Sequence, residues 1–80
     1  MSKDEVLKRI LPQLQKLSEE EVIKEDDELL DDLGISSMDV LMLLTMFEEE
    51  FHTRIPEKRL RNVVTVGDLA EMISDTLNGK

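Results

Sequence analysis

Cysteine is missing from all 80 residues, which removes disulfides, thiolate catalysis and cysteine-built metal sites together. Any thiol chemistry has to be imported on a prosthetic group. Basic residues are scarce: ten Lys and Arg stand against 19 Asp and Glu, a formal charge of −9. That balance argues against a sequence-independent grip on nucleic acid phosphates or anionic lipid, and makes basic protein surfaces the natural partners. No apolar run approaches the roughly 18 residues of a membrane span, and the polar N-terminal stretch does not resemble a secretory signal. Membrane insertion is therefore not expected, and a cytoplasmic location is. Strand-like alternation, internal repeats and low-complexity segments are absent as well. With so short a chain, residues 1–80 are expected to form a single domain whose marginal core comes from tightly packed helices.

What is present is helical. Val6, Leu7, Ile10, Leu11, Leu14 and Leu17 recur at helical spacing from Lys3 to Leu17, and Ser2 with Glu5 three residues on spells a cap at the start. Pro12 inside this pattern removes a hydrogen bond and clashes with the carbonyl four residues back, at a typical cost of about 3 kcal/mol, so a kink or break is expected there. Ser18 to Asp32 is acidic, with isolated apolar residues at Val22, Ile23, Leu29 and Leu30. It is long for a structureless connection, and we expect those four residues to pin it and a turn or two of helix to form. Its acids lack the alternating ligands, central Gly and terminal Glu of a calcium-binding helix–loop–helix, and read as a solvated loop.

Ser37 to Phe51 carries the most apolar pattern in the chain. Val40, Leu43, Leu44, Phe47 and Phe51 form one stripe, and Met38, Met42 and Met46 recur every fourth residue on a neighbouring face. Apolar residues cover more than half the circumference, so the helix is either central to the fold or keeps part of its surface for a partner or cargo. Glu48, Glu49 and Glu50 follow late in this helix, where a charge run is usually a solvated face. Pro56 suits the first position of a short helix to about Asn62. Lys58, Arg59 and Arg61 within it are the only basic cluster. Thr65 with Asp68 makes a further capping box before a last helix with Val66, Leu69, Ala70, Ile73 and Leu77 on one face, ended by Asn78 and Gly79. The fold class expected is all-α, a bundle of three main helices plus one short helix.

The chemistry concentrates at the start of the central helix. Gly34 is a turn former, and Ser36 with Asp39 spells a capping box with Asp in place of the usual Glu or Gln. Ser37 then becomes the first helical residue, beside unpaired backbone N–H groups at the positive end of the helix dipole, a ready position for a phosphate. A hydrolase serine is excluded. The only histidine, His52, lies fifteen residues along the same helix, roughly 22 Å away at about 1.5 Å per residue, and is expected at an exposed loop edge. On spacing alone, Ser36-Ser37 fits a plain helix cap as well as a modified serine.

The stretch LGISSMD resembles the L-G-x-D-S-L-D attachment motif of acyl carrier proteins, and the likeness continues through FEEEFHTRIP and TVGDLAEMI. In that family the serine after the Asp carries 4'-phosphopantetheine, so the resemblance implies that Ser37 is attached to the arm by a phosphodiester. It implies a non-catalytic carrier that holds acyl groups as thioesters and delivers them to the enzymes of a fatty acid, polyketide or specialised lipid or secondary-metabolite pathway. Its partners would be a phosphopantetheinyl transferase and enzymes such as a ketosynthase, acyltransferase or ligase. The same likeness puts Met38, Asp39 and Met42 on the partner-facing side, with Glu48 and Glu49 as candidates for contact with basic residues of partners. The carrier is expected to be a monomer.

Three departures from the family pattern stand out. Ser36 replaces the usual Asp, Met42 occupies a position commonly held by an acid, and Lys58, Arg59 and Arg61 stand where acids are common. These changes point to a specialised carrier that avoids housekeeping enzymes by charge mismatch. A competing reading from another class is a small helical adaptor that uses the methionine face and needs no prosthetic group. Indifference to Ser37→Ala would distinguish it.

Overall fold

The computed structural model describes residues 2–79, and it is all-helical. α1 spans Lys3–Leu17, α2 Ser37–Phe51 and α3 Val66–Leu77, with a 3₁₀ helix at Glu57–Asn62. All three α-helices begin with complete capping boxes, Ser2 with Glu5, Ser36 with Asp39 and Thr65 with Asp68. Each box satisfies two donors that a helix start otherwise leaves open. The helices pack because each hides one stripe. Val6, Ile10 and Leu14 from α1, Val40, Leu43, Leu44 and Phe47 from α2, and Val66, Leu69, Ala70 and Ile73 from α3 make one buried cluster. α1 and α3 form the most extensive helix–helix contact.

α1 runs through Pro12 without the expected break. Pro12 lies on the exposed side, and so does Lys8, whose carbonyl loses the helical donor that proline lacks. Ile10 and Leu14, both fully buried, hold the two halves of α1 in place.

The long 18–36 connection also differs from expectation. Isolated hydrogen-bonded turns, Asp27 N–H to Lys24 O at 3.1 Å and Asp32 and Leu33 N–H to Glu28 O at 3.0 and 3.1 Å, stand where a turn or two of helix was expected. Leu29 is buried and Ile23 packs on the core, but Val22 and Leu30 are exposed at 70% and 56%. The pinning comes from Ile23 and Leu29 as expected, joined by Leu33 and Ile35 and by backbone pairing to the start of α3. Val66 N–H donates to Asp27 O (3.0 Å), Gly67 N–H to Glu25 O (2.8 Å), and Leu29 N–H to Val64 O (2.9 Å). Those bonds take the place of a helix, because they occupy the loop backbone with partners outside the loop. The buried Ser18 hydroxyl donates to Leu33 O at 2.9 Å, and Gly34 follows with φ +67°, a left-handed turn that glycine adopts without a steric penalty. This turn delivers Ser36 to the head of α2.

The far end of α2 is fastened as well. His52 is exposed and left-handed (φ 52°) at the C-cap, as a loop-edge residue should be. Arg9 Nη1 meets Glu50 Oε1 at 2.7 Å while its guanidinium sits 5.5 Å from the centre of the Phe51 ring, which stacks on Phe47. The helix after Pro56 is 3₁₀ rather than α, and Pro56 precedes it instead of opening it.

Candidate functional site

Ser37 opens α2, and its side chain is exposed. Ser36 Oγ accepts from Asp39 N–H and Asp39 Oδ2 accepts from Ser36 N–H, each at 3.2 Å. The cap is thus complete without Ser37, whose hydroxyl is free of hydrogen bonds among the described residues. The backbone N–H groups of Ser37 and Met38 are likewise unpaired among the described residues, whereas the first three residues of α3 all have acceptors. Two unpaired N–H groups at a positive helix end suit a phosphate bonded to the neighbouring oxygen.

Beside Ser37 lies a cleft of about 400 Å³. Its walls are Leu29, Leu30, Val40, Leu41, Leu60, Val63 and Val64, with Glu28, Asp31 and Glu57 among its polar lining residues. Four segments meet there: the 28–31 turn, the first turns of α2, the 3₁₀ helix and the 63–64 link. A hydroxyl on the rim of a mostly apolar cleft can carry a tethered group whose apolar end reaches shelter. Serine, backbone N–H groups and an apolar space fit a phosphopantetheine arm with an acyl cargo.

The other residues singled out from the sequence are dispersed. Met38 and Met42 are 67% and 64% exposed. Asp39 is engaged in the cap. Glu48 is half-buried, and its Oε2 accepts from Ile55 N–H at 3.0 Å, fixing the chain between α2 and the 3₁₀ helix. Glu49 is exposed at the opposite end of α2 from Ser37. Lys58 and Arg61 are exposed on the 3₁₀ helix, while Arg59 is half-buried and donates to Thr76 Oγ1 at 3.2 Å. The cleft joins Ser37 to the 3₁₀ helix through Glu57 and Leu60 rather than through its basic residues.

Sequence reasoning did not identify the cleft walls. Leu30 and Val64, exposed apolar residues in polar connections, were the available signal; Leu60 and Val63 had none, since their facing depends on how the links fold back.

At the start of α3, the N–H groups of Thr65 and Val64 both donate to Asp68 Oδ2 at 3.1 Å and hold its carboxyl below the ordinary Asp range. Nearby, the hydrogen bond to Glu25, 2.7 Å away, raises the Lys3 ammonium above its usual value. Both belong to the scaffold and lie apart from the cleft.

Residues 5–73 match the family described as "Phosphopantetheine attachment site". The chain is similar to the acyl carrier protein of Wolinella succinogenes, 34% identical over 70 residues that cover 88% of this chain and 90% of the relative. It is also similar to the acyl carrier protein of a Sulfurovum species, 35% identical over 72 residues that cover 90% and 93%.

Proposed function

The chain belongs to the acyl carrier protein family, and from that premise we propose that Ser37 is the residue that bears its 4'-phosphopantetheine arm. The protein is a carrier and not an enzyme: it holds acyl intermediates as thioesters on the arm for acyl-processing enzymes, after a phosphopantetheinyl transferase has installed it. When attached, the arm supplies the thiol that this cysteine-free chain lacks.

The observation that carries the Ser37 reading is a free, exposed hydroxyl at the first position of α2, on the rim of an apolar cleft of about 400 Å³. Ser36, the other serine of the pair, has its hydroxyl engaged in the cap. The unpaired N–H groups of Ser37 and Met38 would receive the phosphodiester oxygens, and Leu41 and Val40 would meet the apolar part of a cargo that folds back. The surface around it, Met38, Asp39 and Met42 on α2, Glu48 and Glu49 at its end and Lys58, Arg59 and Arg61 on the 3₁₀ helix, is the docking side in this reading. The eighty residues act as one carrier domain, a monomer working in the cytoplasm. No helix of the described residues is long and apolar enough to cross a membrane.

The absent charge at Ser36, the apolar Met42 and the exposed Lys58 and Arg61 support service in a dedicated lipid, polyketide-like or secondary-metabolite pathway. Equal processing of the acylated protein by housekeeping ketosynthase and reductase would overturn that part. The attachment site is tested by intact mass after incubation with coenzyme A, Mg²⁺ and a broad-specificity phosphopantetheinyl transferase. Wild type is expected to gain one phosphopantetheine and Ser37→Ala none; an increment that persists in Ser37→Ala would refute the assignment.

A further inference from the structure

The chain has no Cys, Trp or Tyr, so the thioethers of its five methionines are the side chains that a mild two-electron oxidant meets. They are not equally reachable. Met38 and Met42 are 67% and 64% exposed, Met46 is 38% exposed, and Met72 is packed in the core at 8%. Met1 lies outside the described residues.

Met38 and Met42 also share a place. They are four residues apart on α2, so their side chains are neighbours on its surface, and Met38 follows Ser37 directly. Over residues 37–43 the other apolar side chains, Val40, Leu41 and Leu43, are buried or half-buried, which leaves these two thioethers as the exposed ones beside the serine.

Oxidation at this place changes the chemistry of the surface and spares the core. The sulfur lone pair attacks one oxygen of a peroxide, the O–O bond breaks, the thioether is oxidised to a sulfoxide, and hydrogen peroxide is reduced to water. Methionine sulfoxide reductases reverse the step: two thiols supply two electrons, and the products are the thioether, a disulfide and water. The sulfoxide carries a polar oxygen that accepts hydrogen bonds. An enzyme that closes on the Ser37 hydroxyl covers its neighbours, and covering that oxygen without a donor opposite it carries a desolvation cost that a thioether does not.

We infer that Met38 and Met42 form a reversible oxidation site, converted by peroxide to sulfoxides that slow the loading of Ser37. This rests on the reading of Ser37 as the attachment residue.

The unmodified protein is treated with hydrogen peroxide, the excess is destroyed with catalase, and the sulfoxide at each methionine is read by peptide mass. Initial rates of phosphopantetheine addition by a broad-specificity phosphopantetheinyl transferase are measured before and after by intact mass, with melting temperatures alongside. The comparison is Met38→Leu/Met42→Leu, which keeps apolar side chains of similar volume and leaves Met1, Met46 and Met72 open to the oxidant. Met38 and Met42 are expected to be converted ahead of Met46 and Met72, with melting unchanged at that stage. Oxidised wild type is expected to lose about tenfold in kcat/KM and to regain it after treatment with the two stereospecific methionine sulfoxide reductases and a thiol. The Leu variant stays within about twofold of its own untreated rate. Conversion of Met46 or Met72 as fast as Met38 and Met42 overturns the inference, as does an oxidised wild type within about twofold of the untreated protein. So does an equal loss in the Leu variant, or a rate that the reductases do not restore. All of these leave the Ser37 reading standing, whereas an untreated wild type that gains no increment overturns both.

Discussion

Replacing Asp68 with Ala isolates the cap that ties α3 to the long loop. Asp68 Oδ2 accepts from the N–H groups of Val64 and Thr65 at 3.1 Å each, and Thr65 Oγ1 accepts from Asp68 N–H in return. The variant keeps the last bond and loses the first two. Hydrogen bonds to a charged acceptor contribute about 1.5–3 kcal/mol each, but the half-exposed carboxylate competes with water, and each bond falls to about the 1 kcal/mol of an ordinary hydrogen bond. Alanine's better helix propensity returns roughly half a kcal/mol. A net loss of about 1–2 kcal/mol is expected, or roughly 5–15 °C in melting temperature for a domain of this size.

The pH dependence gives the sharper signature. Asp68 titrates below its ordinary value, so its contribution is fully present above the unfolded Asp value near 3.9 and disappears as pH falls through the depressed folded value. Wild type and variant should therefore differ at pH 7 and converge as pH falls through the depressed folded value. Because the chain has no Trp or Tyr, urea unfolding is followed by far-ultraviolet circular dichroism, in dilute samples since net charge vanishes near pH 4.4. Glu71→Ala, exposed on the same helix, controls for the lost charge. A stability difference that persists unchanged to the lowest pH, or one matched by Glu71→Ala, would refute this account of the cap.

Two further perturbations probe the scaffold around the site. Pro12→Ala supplies an N–H for the Lys8 carbonyl inside an otherwise continuous α1 and is expected to stabilise the fold by about 1–3 kcal/mol, read as a higher urea midpoint. Glu48→Ala removes the acceptor for Ile55 N–H, which should cost about 1 kcal/mol and speed hydrogen exchange at Ile55 selectively; Glu48→Gln, which keeps an oxygen there, should largely restore protection.

The three capping boxes were written in the sequence, because the hydroxyl and the carboxylate that form each one lie three residues apart and need no distant partner. The bounds of α2 and the inward stripe Val40, Leu43, Leu44 and Phe47 followed from the 3.6-residue period for the same reason. Ser37 stood out by its place at a helix start together with a family motif, a local pattern again. Tertiary structure decided what local chemistry leaves open. Whether Pro12 breaks α1 depended on which side of the helix faces water, and the folding of the 18–36 loop depended on the backbone partners it finds at the head of α3, some forty residues away in sequence. The employment of Glu48, Glu50 and Arg59 within the chain was equally hidden, since their partners Ile55, Arg9 and Thr76 lie seven to 41 residues off. The cleft beside Ser37 exists only where four separate segments converge. A pattern of period 3.6 says which face a residue occupies, and only packing says what stands opposite it.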